Sequence, residues 1–364
     1  DSDDYHLSDL SPAISGGTSS ISIDGVTYNA PLIDRDGNPR PNPSGSNPDM
    51  GAYESHRGVD PNYDGPVWYV DGPASLPYGN GGPGGPFMTI GEGINAASDG
   101  DTVFVMSGTY PERINLTDKN IVVIGENSEN TIIDGGQEGS VVTFSPSASK
   151  LQGFTITNGF ANSGGGLYIA GTANPTLHDL IIEANEAENG AGIYISNQCN
   201  VVMTDLVIRN NSSSISAGGL YAWGNVTLSL RDSEVSKNTA SNGAGISLGY
   251  SIVPVIDNCT IIGNIATDYG GGLNAHSLLE NDNAIITESI IMGNSAPVGA
   301  QLHVTAYPDT WQEGNNARTT ISYSNLEMDD ETDYFESDAG VTSWGDGMLD
   351  IDPGFVDMET GDYR

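Results

Sequence analysis

Positive charge is what this chain has least of. Eleven Lys and Arg stand against 48 Asp and Glu in 364 residues, a formal net charge of −37. That surplus of acid disfavours nucleic acid or an anionic membrane surface as partner. Runs of 18 apolar residues are also missing, which argues against membrane insertion by a helix. The chain is diluted by 48 Gly and 19 Pro, so a mostly helical fold is disfavoured too. Its two cysteines, Cys199 and Cys259, are too few for a disulfide framework and read as small buried apolar residues. Only three lysines are present (Lys119, Lys150, Lys237), which suits a medium whose salt or calcium screens self-repulsion. An extracellular or cell-surface location is therefore expected. The 37% hydrophobic content still suffices for a core.

What is present is repetition. Gly165-Gly166-Leu167-Tyr168-Ile169, Ala191-Gly192-Ile193-Tyr194-Ile195, Gly218-Gly219-Leu220-Tyr221-Ala222, Ala244-Gly245-Ile246-Ser247-Leu248 and Gly271-Gly272-Leu273-Asn274-Ala275 recur in order, with a degenerate sixth copy at Ala300-Gln301-Leu302-His303-Val304. The aliphatic positions are 26, 27, 26, 27 and 29 residues apart, a period that signifies a solenoid. Within a copy the alternation is that of a strand: Leu167 in, Tyr168 out, Ile169 in. A second strand follows, as in Leu180-Ile181-Ile182, Leu206-Val207-Ile208, Cys259-Thr260-Ile261 and Ser289-Ile290-Ile291, each trailed by an asparagine. These asparagines are Asn158, Asn185, Asn211, Asn238, Asn264 and Asn294, spaced 27, 26, 27, 26 and 30 residues.

Turns this short cannot hold a crossover helix, so each strand is expected to pair in parallel with its counterpart one coil on, around a tube of stacked Leu, Ile and Val. The asparagines are expected to form an amide ladder, and the glycines before each aliphatic position to serve a corner with positive φ or close backbone approach. The all-β reading places an extended, irregular segment at 1–65, about nine or ten coils at 66–325 and an irregular segment closing the last coil at 326–364.

The stacked pattern, opened by Pro86-Phe87-Met88-Thr89-Ile90, Ala96-Ala97-Ser98-Asp99-Gly100-Asp101-Thr102-Val103 and Gly108-Thr109-Tyr110-Pro111-Glu112, resembles the right-handed, single-stranded parallel β-helices of the pectin-lyase-like class in bacterial secreted and surface proteins. Residues 350–363, Asp350-Ile351-Asp352-Pro353-Gly354-Phe355 onward, resemble the choice-of-anchor-like segment that follows the last coil in such proteins. Its usual continuation stands instead at the other end: Asp4-Tyr5-His6-Leu7, Ser11-Pro12-Ala13-Ile14, Asp34-Arg35-Asp36-Gly37-Asn38-Pro39-Arg40 and Pro48-Asp49-Met50-Gly51-Ala52-Tyr53-Glu54. The permuted order fits either one unit of a tandem array or a subunit whose residues 1–56 complete the end of a neighbour, head to tail. A fold-back of 1–56 on its own solenoid is the other reading.

Enzymes that the resemblance brings to mind act on polysaccharides with clustered carboxylates, or with carboxylate-bound calcium and a basic residue. No set of that kind is visible. Arg209 and Arg231 read as ion pairs on a solvated face near Asp205 and Asp232. Calcium is the cofactor expected at two acid-rich turns, through Asp60, Asn62 and Asp64 and through Asp34, Asp36 and Asn38, though such clusters are also ordinary turns. The outward column Tyr168, Tyr194, Tyr221 reads as a platform for a polysaccharide, as self-stacking, or as a covered surface. Gly79-Asn80-Gly81-Gly82 and Gly84-Gly85 read as a flexible approach to the first coil. The leading expectation is a non-catalytic structural or adhesive protein, a unit of a surface fibre. A polysaccharide lyase or hydrolase and a carbohydrate-binding module are the alternatives.

Overall fold

The computed structural model describes residues 6–7, 11, 13–42, 46–55, 63–72, 79–276, 283–305, 317–329, 331–336 and 340–355. The chain winds as a right-handed parallel β-helix, and its registers show why. Leu167, Ile193, Leu220, Ile246, Leu273 and Leu302 are successive partners in one sheet, each at most 1% exposed. The same column begins earlier, with Ile114 and Val142, and ends at Tyr334. Nine strands, from Ile114–Asn115 to Tyr334–Glu336, make this sheet. They enclose eight full turns, fewer than the nine or ten coils expected. A longer sheet behind it carries one further rung at each end, Val67–Val70 and Gly340–Trp344. The last rung thus lies inside the segment expected to be irregular.

In the longer sheet, strands such as Thr176–Glu183 and Asn200–Arg209 run through two faces of the tube. They bend at a single residue with left-handed backbone: Asp179 (φ 49°), Asp205 (56°), Asp232 (50°) and Asn258 (52°) in successive coils. Asp and Asn enter that region more readily than other non-glycine residues. A third, five-stranded sheet from Phe160–Ser163 to Ile265–Tyr269 closes the cross-section.

The asparagine ladder occupies the corner between the long and five-stranded sheets. Asn185, Asn211, Asn238, Asn264 and Asn294 are all buried. Each Oδ1 accepts from the backbone N–H and the Nδ2 of the asparagine one coil before, at 2.9–3.1 Å. Each Nδ2 also donates to a backbone carbonyl of the preceding coil, as Asn211 does to Ile182 at 2.9 Å. The ladder ends at Gln301, whose Oε1 takes the place of the next amide, 2.8 Å from Asn294 Nδ2. Asn158 is not a member, contrary to the sequence reading. It takes φ 57°, and Gly159 N–H, 26 residues before Asn185, donates to the first amide at 2.8 Å.

At its first rung the tube is closed by the helix Ile90–Ala96, capped by Thr89 and Glu92. Ile90 and Ile94 are buried, and a Cβ on Gly93 would lie 2.7 Å from the Val103 side chain. The glycine run beside it is a packed turn and not a flexible approach. Gly81 and Gly85 bond each other at 2.9 Å, and a Cβ at Gly81 would sit 2.3 Å from the Phe87 ring and 2.7 Å from Trp68. Both cysteines are buried and free, as expected.

Asn211→Ala strips the acceptor from two donors of Asn185 and should lower unfolding stability by about 3 kcal/mol, the cost of orphaned buried groups. Asn158→Gly, at a left-handed position outside the ladder, should leave it unchanged within about 0.5 kcal/mol. Urea denaturation followed by circular dichroism measures both.

Candidate functional surfaces

In-register stacking turns the outward positions of the nine-stranded sheet into columns. One reads Thr143, Tyr168, Tyr194, Tyr221, Ser247, Asn274, His303, Phe335. The tyrosine rings lie 5.6 and 5.5 Å apart with interplanar angles of 4° and 12°. Their faces therefore cover one another. This geometry favours self-stacking for the middle ring over a sugar platform, because a pyranose packs on a free face. Burial, with Tyr194 and Tyr269 alongside, pushes the Tyr221 hydroxyl up to about 12.

A second column stands beside the first. Ser196 and Trp223 are partners, and Gly249 lies between Trp223 and His276. Trp223 and Tyr250 are both more than two-fifths exposed, with ring centroids 6.3 Å apart. A Cβ at Gly249 would come within 2.4 Å of the indole, so the glycine leaves the ring its place. Trp223 was within reach of sequence reasoning, since it is two residues past Tyr221 in the same alternation. Tyr250 lies two residues past the strand Ile246–Leu248 and Tyr269 ends the strand Ile265–Tyr269, and neither carries a periodic signal.

Further along, the first column becomes polar and is covered. Ser247 and Asn274 are at most 1% exposed and His303 is 6% exposed. His303 Nδ1–H donates to Asn274 Oδ1 at 2.8 Å, and Asn274 Nδ2 donates to Ser247 Oγ at 3.4 Å. The imidazole is held between Tyr269 (4.5 Å) and Phe335 (5.0 Å). The backbone passes over these side chains at Gly270 and Gly299 (φ 67° and 62°), where a Cβ would meet Asn274 and His303 at 2.7 Å. Burial, with His276 nearby, pushes the His303 imidazole down to about 4, and burial lowers His276 as well. This chain of groups contains no serine bonded to a histidine, so it is no nucleophile and base pair. Neither of the two outward columns brings a pair of carboxylates together.

The basic residues of the coils pair along columns, not along the chain. Arg209 Nε meets Glu183 Oε2 at 2.7 Å and Arg231 bonds Asp257, each a neighbour in the next coil. Asp205 faces His178 at 3.1 Å and Asp232 accepts from Asn258. The expected partners, Asp205 and Asp232, are corner residues, which removes them from the arginine columns. The solvated ion pair itself is present.

Of the acid-rich turns, Asp34, Asp36 and Asn38 are brought together. Asp34 Oδ1 accepts from the N–H groups of Asp36 and Asn38 (2.9 and 2.7 Å), and Oδ2 from Asn38 Nδ2 and Glu54 N–H (3.1 and 3.0 Å). Burial pushes this carboxyl up, yet the donors of Glu54, Asn38 and Asp36 hold it down at about 2. A calcium ion here would have to displace those donors. Asp36 pairs with His6 at 2.7 Å. Asp64 is exposed, and Asp60 and Asn62 lie outside the described residues. Among the described residues no three His, Cys, Asp or Glu side chains gather as a metal cluster, and no helix is long and apolar enough to cross a membrane.

Residues 150–317 match the family model described as "Right handed beta helix region". Among solved structures, pectin methylesterase PemA from Erwinia chrysanthemi is 15% identical, with 82% of this chain and 95% of that chain covered and a TM-score of 0.43. The pectin methylesterase from Aspergillus niger in deglycosylated form is 14% identical over 83% and 95%, TM-score 0.44. The GH136 lacto-N-biosidase from Eubacterium ramulus is 12% identical over 78% and 68%, TM-score 0.45. At such identities the likeness concerns the fold and says nothing of this chain's activity. No curated protein matches the chain.

Because His303 binds its proton only near pH 4 in the fold against about 6.5 when unfolded, the unfolded chain takes up protons first as pH falls. Stability should drop between pH 6.5 and 4, by on the order of 3 kcal/mol, and no further on this account below that. His303→Phe, which keeps the ring stack, should flatten this slope in thermal melts taken across the range.

Proposed function

We propose that the protein is a non-catalytic extracellular structural protein, a unit that joins end to end with other copies into a surface fibre. The observation that supports this most is the inequality of the two ends. At the first rung, Val70 is buried against Gly93 of the helix Ile90–Ala96, and Trp68 is buried between Tyr63 and Phe87. At the last rung, Trp344 continues the core column Ile256, Ile286, Ile321, whose members are at most 1% exposed, yet is itself 45% exposed. A core column that stops in the open calls for a cover, and two unlike ends give a head-to-tail contact that propagates.

The absence of a carboxylate pair on the two outward aromatic columns favours a non-catalytic role over a hydrolase or lyase, which needs paired acid and base groups. The acid surplus and the scarcity of lysine suit an exterior medium rich in cations. A second reading, polysaccharide binding, is favoured by Trp223 and Tyr250, whose rings are the most exposed on the nine-stranded sheet face. Trp223→Ala should abolish retention on any polysaccharide that the protein binds, whereas Tyr194→Ala, whose ring faces are both stacked, should change it less than threefold. Affinity electrophoresis against a polysaccharide panel reads this directly.

The main reading is tested by electron microscopy and light scattering of the full chain across concentration. Filaments should appear with an axial repeat of at least roughly 50 Å, ten rung steps of about 4.8 Å. Monodisperse single particles at every concentration and salt level would sink it.

A further inference from the structure

The N-terminal segment carries a half-exposed apolar face. Ser20–Ile23 and Val26–Asn29 form an antiparallel hairpin. Its register sets Ile21 opposite Tyr28 and Ile23 opposite Val26, so these four side chains share one face, while Ser20, Ser22, Thr27 and Asn29 share the other. The four apolar residues are 53–56% exposed, and Leu32 and Ile33 beyond them are 84% and 60% exposed. A two-stranded hairpin solvated on both faces is marginal on its own, and an apolar face of this size marks a contact surface.

Charge distinguishes the hairpin face from most of the chain. Residues 12–33 contain a single ionisable side chain, Asp24, in a chain with 48 acids and a net charge of −37. The hairpin therefore brings almost no charge of its own to the tube end, where Asp346, Asp350 and Asp352 stand in sequence beside Trp344, Leu349 and Ile351. Both surfaces are of one kind: half-exposed apolar groups, with Trp344 (45%), Leu349 (52%) and Ile351 (58%) at the tube end. The apolar surface on the hairpin side comes to on the order of 500 Å², a substantial part of the roughly 800 Å² per partner of a stable interface, whose core is depleted of charge.

We propose that the hairpin of one copy seats its Ile21, Ile23, Val26, Tyr28 face on the open end of a second copy, over Trp344, Leu349 and Ile351, and closes that tube as Ile90–Ala96 closes the other end. The inference rests on the end-to-end reading and names its contact. The occupant is the hairpin and not the helix end, because the helix end has its apolar residues Ile90 and Ile94 already buried.

Cysteine cross-linking tests it, because the two native thiols are buried and silent. Chains carrying Val26→Cys are mixed with chains carrying Leu349→Cys and oxidised mildly. A disulfide-linked pair should form in the mixture at least tenfold faster than in either chain alone. The double substitution Ile23→Asp with Val26→Asp should weaken self-association at least tenfold with an unchanged melting temperature, since neither residue is part of the core. Wild-type filaments without any cross-link in the mixture, or filaments unaffected by the double substitution, overturn the hairpin contact and leave the end-to-end reading intact. Wild-type chains that remain single at all concentrations overturn both. A cross-link that forms within single chains carrying both cysteines, at a rate independent of concentration and without filaments, identifies a fold-back and overturns the contact between copies.

Discussion

Parallel pairing in register is the constraint from which the rest of this molecule follows. Strands of one coil bond to the coil on either side, so between Leu167 and Leu302 a residue's structural neighbour is the one 26 to 30 positions away, not the one beside it in the chain. Like therefore stacks on like. Leu and Ile fill the tube, tyrosines lie ring on ring, and each ladder asparagine meets another asparagine. The ladder shows how strict the rule is, because an amide can donate to its own kind and accept from it at once, and few side chains can replace it in a dry corner. Where the run of asparagines ends, Gln301, with the same amide, takes over.

This rule also decides what could be learned before any coordinates. The column Leu167 to Leu302 was legible because a glycine or alanine pair announces each aliphatic residue. Ile114 and Val142 belong to the same column but lack the announcement, and so they passed unseen. The step from Asn158 to Asn185 looked as regular as the others, yet 27 residues is one more than the register allows, and Gly159 holds the level. Arg209 and Arg231 were matched with acids nearby in the chain, whereas the fold pairs them with Glu183 and Asp257 one coil off. The period that sets the aliphatic column sets both charge pairs as well, since Glu183 and Arg209, and Arg231 and Asp257, are register partners.

The surface features were less legible for a different reason. Outward residues are chosen singly, and the covering of Ser247, Asn274 and His303 depends on where the backbone crosses at Gly270 and Gly299. Tyr269, which lies against His303, sits at the end of a strand in a different sheet. No period in the sequence connects the two. The polar interior of the N-terminal segment is similar: Asp34 and Glu54 are joined through a backbone N–H across 20 residues, a closure that turn chemistry alone does not announce.

The two ends of the solenoid are unlike in cover and in charge. Every parallel sheet exposes an edge at each end of the tube, and such edges are sites of uncontrolled pairing unless charge, cover or shape prevents it. A net charge of −37 makes two copies repel over a range of about 8 Å at physiological salt. At the last rung the acids persist, with Asp346, Asp350 and Asp352 close in sequence to the exposed Trp344, Leu349 and Ile351, so the apolar groups there stand among acidic neighbours. One end already carries a lid of its own. The last rung has no counterpart of that helix among the described residues, so the two ends differ in cover as well as in sequence.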